Sequence, residues 1–134
     1  MTIEEAERLV KGFENCTLPK EEWTHEAHFI MAFKFCLQWP VPVATSRIRE
    51  GIKRYNLGVG GQNTNSSGYH ETITLFYTYT IARYIITHGV TSFTQQSVTV
   101  LLSQPFIAKD YPLQYYSREL LFSTQARLHW VEPV

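Results

Sequence analysis

The sequence predicts an all-α, single-domain bundle of about five to six helices. Three observations carry that expectation. Apolar residues recur at helical spacing along most of the 134 residues. Residues suited to helix capping stand where those stretches begin, and every proline falls outside them. No internal repeat, low-complexity tract or linker divides the chain, which is long enough for one core.

The first helix is expected over about Ile3 to Asn15. Thr2 and Glu5 are spaced as a capping box, and Ile3, Ala6, Leu9, Val10 and Phe13 form one apolar stripe. Leu18-Pro19 breaks the chain. Thr24 can cap a second helix, about His25 to Gln38, which ends before Pro40 and Pro42. The third, about Val43 to Tyr55, turns Val43, Ile48 and Ile52 inward; its Arg47, Arg49, Glu50, Lys53 and Arg54 read as a solvated face. A long Gly/Asn/Ser loop from Asn56 to Gly68 follows, without the pattern of a phosphate-binding loop. The fourth helix, about Tyr69 to His88, is apolar nearly all round, which makes it and the second helix central. Gly89 suits its C-terminal cap. Ser92 is the expected cap of a fifth helix to about Ser103, with strand character at Val98-Thr99-Val100 as a competing tendency. Pro105 and Pro112 bracket an irregular stretch, and a last helix runs from about Ser117 to Arg127.

Composition narrows the partners. A zero formal charge gives no whole-chain field for nucleic acid or anionic lipid, so neither nucleic acid nor membrane is expected. The same neutrality leaves a homodimer open. Cys16 and Cys36 form no CxxC pair, which favours a reducing compartment. The acidic start, Thr2-Ile3-Glu4-Glu5, is unlike a secretory signal, and Phe29–Phe33 and Ile81–Ile86 are too short to span a bilayer. The expected location is cytoplasmic.

Chemistry is concentrated in two motifs at helix starts. Trp23-Thr24-His25-Glu26-Ala27-His28 opens the second helix, and Ser66-Ser67-Gly68-Tyr69-His70-Glu71-Thr72 opens the fourth. In an up-down bundle those two helices run parallel and their starts share one end. His25, His28 and His70 would then form a metal site for Zn, Fe or Ni, with Glu71 or Glu26 as base or supporting carboxylate. The His-Glu-x-His spacing differs from the metalloprotease His-Glu-x-x-His. Tyr69, Arg118, Trp23 and Tyr116 are candidate substrate-binding residues, Arg118 as a clamp for a carboxylate.

These residues support three functional expectations. The first is a metal-dependent enzyme, or a metal-supported binding protein, acting on a small organic molecule. The second is a metal-free binding or acid–base protein using the same pocket, with His25 or His70 as base and tyrosines as an aromatic wall. The third is an interaction protein with structural histidines, marked by an exposed apolar patch on the first or third helix.

The strings Trp23-Thr24-His25-Glu26-Ala27-His28, Gly68-Tyr69-His70-Glu71-Thr72 and Ser117-Arg118-Glu119-Leu120-Leu121-Phe122-Ser123 together resemble a family of small, uncharacterised bacterial all-helical proteins. The resemblance implies the helical fold and no particular reaction. The pattern is faintly similar to two metal-binding helical groups. It lacks the His-x-x-x-His pair of DinB-like bundles, and has His70-Glu71 where HD-type phosphohydrolases have His-Asp.

Overall fold

Seven α-helices and three short 3-10 turns make up the computed structural model, which describes residues 1–133. They are α1 (Ile3–Glu14), α2 (His25–Gln38), α3 (Val41–Gly58), α4 (Glu71–His88), α5 (Gln95–Leu102), α6 (Arg118–Leu121) and α7 (Thr124–Leu128). No strand occurs among the described residues, and Val98-Thr99-Val100 is helical. No described helix is long and apolar enough to cross a membrane.

Local chemistry explains the boundaries. Thr2 and Glu5 form the expected capping box, and Thr24 Oγ1 accepts the Ala27 amide. α3 starts two residues earlier than expected, because Pro42 fits the first helical turn, where a missing N–H costs nothing. α4 starts after His70, whose ring Nδ1 accepts the Ile73 amide at 3.1 Å and so serves as the N-cap. Thr94, not Ser92, caps α5. The expected last helix is two: Ser123 Oγ accepts the Ala126 amide and starts α7. Gly89 closes α4 in the left-handed conformation, as expected.

α2 and α4 are the central pair. α2 packs on α1, α3, α4 and α5, and α4 packs on α2, α3 and α7. Phe13, Trp23, Phe35 and Tyr55 form an aromatic cluster between α1, α2 and α3, and the Tyr55 hydroxyl donates to the Leu18 carbonyl at 2.8 Å. α3 and α4 run antiparallel: Arg49 meets Glu71 while Lys53, one turn later, lies over Tyr69. α2 crosses α4 near Tyr77 and Thr78. The His25 and Phe29 rings reach Tyr77, while Cys36 Sγ at the other end of α2 lies 3.9 Å from the Thr78 carbonyl oxygen.

The loop between α3 and α4 is tied down by Asn63. Its Oδ1 accepts from Asn56 Nδ2 and the Tyr69 amide, and its Nδ2 donates to the Lys53 carbonyl. Gly68 closes the loop with φ +81°, and a Cβ there would lie 2.0 Å from the Gln62 carbonyl oxygen. Gly68→Ala therefore combines backbone strain with a clash against main chain. It should lower the unfolding free energy by about 2–4 kcal/mol. Urea denaturation of the variant checks this, and an unchanged midpoint would refute the packing described for the loop.

Candidate functional site

The crossing of α2 and α4 separates the two motifs. His25 packs at Tyr77, seven positions after His70, or about 10 Å farther along α4. Each of the three motif histidines is bound to a different backbone carbonyl. Among the described residues no group of three His, Cys, Asp or Glu side chains is arranged to hold a metal ion.

His70 is buried, and both its ring nitrogens are engaged. Nε2 donates to the Leu121 carbonyl at 2.7 Å, while Nδ1 caps α4. Only the neutral Nε2–H tautomer satisfies both partners. Burial depresses its pKa, with the Arg127 charge adding to the effect against the Leu121 bond. His28 stacks on Trp23 at 3.8 Å between ring centroids and bonds the Thr24 carbonyl through Nδ1 at 2.7 Å. Burial depresses its pKa too. Trp23 itself lies between His28 and Phe13, so its ring is packing. Glu26 is exposed to solvent. Tyr116 is buried, and its hydroxyl donates to the Val131 carbonyl at 2.6 Å, holding the C-terminal segment.

Glu71 is an ion-pair acceptor. Its carboxylate takes two bonds from Arg49, at 3.0 and 2.8 Å, and one from the Tyr69 hydroxyl at 2.5 Å. Burial pushes the carboxyl pKa up, but Arg49 and Tyr69 together outweigh it and hold the group below its ordinary range. Glu71 therefore stays ionised near neutrality and makes a poor proton acceptor. Arg49 and Lys53, expected on a solvated face, instead turn towards this carboxylate and Tyr69. Their i, i+4 spacing was the signal that they share a face.

Four of the nine expected residues line two clefts that flank the first turns of α4, His25 and Arg118 in one and Tyr69 and Glu71 in the other, whereas His28, His70, Glu26, Trp23 and Tyr116 line neither. One, of about 370 Å³, is lined by His25, Ile73, Tyr77, Lys109, Asp110, Leu113, Arg118, Leu121 and Phe122, with Pro112 at its edge. The other, of about 330 Å³, is lined by Arg49, Lys53, Asn63, Tyr69, Glu71 and Arg127, with Thr64 and Leu128. A cleft of about 650 Å³ along α1 contains none of the motif histidines.

In the first cleft His25 donates from Nε2 to the Ile107 carbonyl at 2.7 Å. A carbonyl only accepts, so Nε2 carries the proton and Nδ1 of the neutral ring keeps its lone pair. Tyr77 lines the same cleft, and its hydroxyl is sealed from solvent with no hydrogen-bond partner. Burial, with Tyr111 and Asp110 nearby, pushes its pKa up, so it remains a donor. A buried hydroxyl without a partner costs about 1–3 kcal/mol, so this one marks an unmet demand for an acceptor. Nothing in the helical spacing of α4 distinguishes Tyr77 from its neighbouring aromatics, so the sequence did not single it out.

The depressed pKa values of His70 and His28 have a consequence for stability. The unfolded chain protonates first, near 6.5. The stability these rings contribute is complete above that pH and is lost as pH falls through it towards their lower folded-state values. Urea denaturation should give a flat unfolding free energy from about pH 8 to 7 and a decline from about 6.5 to 5. His70→Asn, which keeps a capping side chain without a titrating ring, should show a shallower decline; an equal slope would mean that His70 is not the proton site.

No protein-family model, curated protein or solved structure matches this chain, which leaves the geometry of the two clefts as the guide to its chemistry.

Proposed function

We propose that the protein binds a small organic carboxylate without a metal, in the cleft between α2, α4 and α6, with His25 as a proton acceptor beside it. The observation that carries this reading is the partnerless, buried Tyr77 hydroxyl in a cleft that also holds a histidine and two cationic side chains. A ligand oxygen would supply the acceptor that Tyr77 lacks. Arg118 and Lys109 give the cleft a positive balance against Asp110 and suit a carboxylate. Phe122, Leu113 and Ile73 give apolar wall for a short carbon frame.

The hydroxyl is sealed, so a ligand reaches it only as part of the cleft lining gives way, and the exposed Lys109–Asp110 turn is one such part. That turn lies between two short 3-10 segments, Pro105–Ile107 and Tyr111–Gln114, a stretch with little helix to resist the movement. The fixed tautomer of His25 leaves Nδ1 as its basic nitrogen, which suits removal of a proton from a bound acid or its neighbouring carbon.

Two arguments favour this over the other readings. A metal bound by His25, His28 and His70 together would cost His70 its bond to the Ile73 amide, since coordination through Nδ1 takes that lone pair and coordination through Nε2 moves the ring proton onto Nδ1, undoing the start of α4. An interaction surface on α3 would rest on its exposed Val43 and Leu57, which stand fourteen positions, about 21 Å, apart.

Thermal shift and calorimetric titration with 2-oxo acids and aromatic carboxylates test the reading. At least one class should raise Tm in the wild type, weakly in Arg118→Ala and not at all in Tyr77→Phe. The free Tyr77→Phe variant should be more stable than wild type by about 1 kcal/mol, because it loses only an unpaired hydroxyl. A Tyr77→Phe variant that binds as well as wild type, or a wild type that binds no carboxylate, sinks the proposal. Stoichiometric metal in protein purified without tag or chelator would return the case to the metal-supported alternative.

A further inference from the structure

The second cleft is not needed by this function, and its charges are unbalanced. Arg49, Lys53 and Arg127 line it with a single carboxylate, Glu71, giving a local charge of three cations against one anion. Arg49 is the only one of the three paired with that carboxylate. Lys53 lies with Nζ 5.1 Å from the centre of the Tyr69 ring and forms no ion pair among the described residues, although its charge acts on Glu71 from a distance. Arg127 is fixed by backbone instead of by an acid. Its Nη1 donates to the Gly68 carbonyl at 2.9 Å and the Tyr69 carbonyl at 3.3 Å, which orients the guanidinium without neutralising it.

We propose that this cleft binds the phosphoryl group of a small molecule. Two cations at one cleft, neither in an ion pair among the described residues, match a dianion, and a guanidinium with an ammonium is the usual donor set for phosphate oxygens. The cleft is built to stay open. Asn63 fixes the loop beside it through three hydrogen bonds, to Asn56, Lys53 and Tyr69, and the loop from Asn56 to Gly68 carries no acidic residue that could reach Lys53. Glu71 opposes an incoming anion, but Arg49 and Tyr69 occupy its oxygens and turn its charge to their side. The start of the 18-residue α4 adds its partial positive charge on the same wall.

The test is calorimetric titration at low ionic strength with inorganic phosphate and, separately, with glycerol phosphate. Tighter binding of glycerol phosphate identifies a phosphorylated small molecule as the occupant. Tighter binding of inorganic phosphate keeps the anion site and overturns the claim that the phosphoryl group arrives on a small molecule. Lys53→Gln should weaken binding about tenfold, the loss of one charge-assisted contact. Lys53 makes no side-chain hydrogen bond to the rest of the fold, so this variant should keep the wild-type Tm. Glu71→Gln, which removes the opposing charge, should tighten binding, and Tyr77→Phe should leave it unchanged, since Tyr77 lies in the other cleft. Lys20→Gln, at an exposed lysine outside the cleft, controls for diffuse attraction. Absence of binding by either phosphate at millimolar concentration, or an equal loss in Lys20→Gln and Lys53→Gln, would overturn the proposal.

Discussion

His70 commits both ring nitrogens to backbone: Nδ1 accepts the Ile73 amide and Nε2 donates to the Leu121 carbonyl. The first bond fixes where α4 begins. The second fixes α6 against that beginning. Glu71 then stands on one side of the first turn, facing Arg49, and Ile73 and Tyr77 stand on the other, facing His25. Arg118, on α6, borders the Tyr77 cleft because Leu121 of the same helix is held by the imidazole. Arg127, on α7, reaches the Gly68 and Tyr69 carbonyls just before the cap. Neither cleft keeps its shape if this ring moves. A lost cap alone costs about 1 kcal/mol, and loss of the bond to Leu121 would leave a buried carbonyl unpaired as well.

The two clefts differ in how their polar groups are satisfied. In the Glu71 cleft the carboxylate is saturated by two nitrogens of Arg49 and the Tyr69 hydroxyl, and the surplus is charge. In the Tyr77 cleft the surplus is a hydrogen-bond donor. An unpaired donor inside a fold is a local penalty, whereas an unpaired cation at the rim is solvated at little cost. The Tyr77 hydroxyl is therefore the stronger mark of a specific partner, and the cationic cleft the stronger source of long-range attraction.

Much of the fold was legible in the sequence because its helix starts depend on local chemistry. Thr2 with Glu5, and Thr24 ahead of His25, cap as their side chains dictate. The errors have equally local causes. Pro42 reads as a stop before α3 but is compatible with a first turn, and Ser123 interrupts what periodicity joins into one last helix. The site was legible only in part. Histidines at helix starts pointed to the right region, but which helix positions face each other depends on how α2 crosses α4. That crossing brings His25 to Tyr77 instead of to His70, and no spacing along the chain encodes it. Arg49 and Lys53 looked like surface charge because their partners, Glu71 and Tyr69, arrive from across a long loop.

A histidine cap also makes the start of α4 conditional on a proton. Asp, Ser or Thr can accept the Ile73 amide at any pH near neutral, whereas protonated imidazole has no lone pair left for it. Burial holds His70 neutral in the fold, so the formed first turn and the neutral ring are one state. Any ligand that requires that turn, in either cleft, binds this state and not the protonated one. Linkage then works in both directions: a bound ligand lowers the proton affinity of His70, and acid weakens the ligand. The two clefts share no lining residue and need no direct contact to be coupled in this way, because both are built outward from the same imidazole.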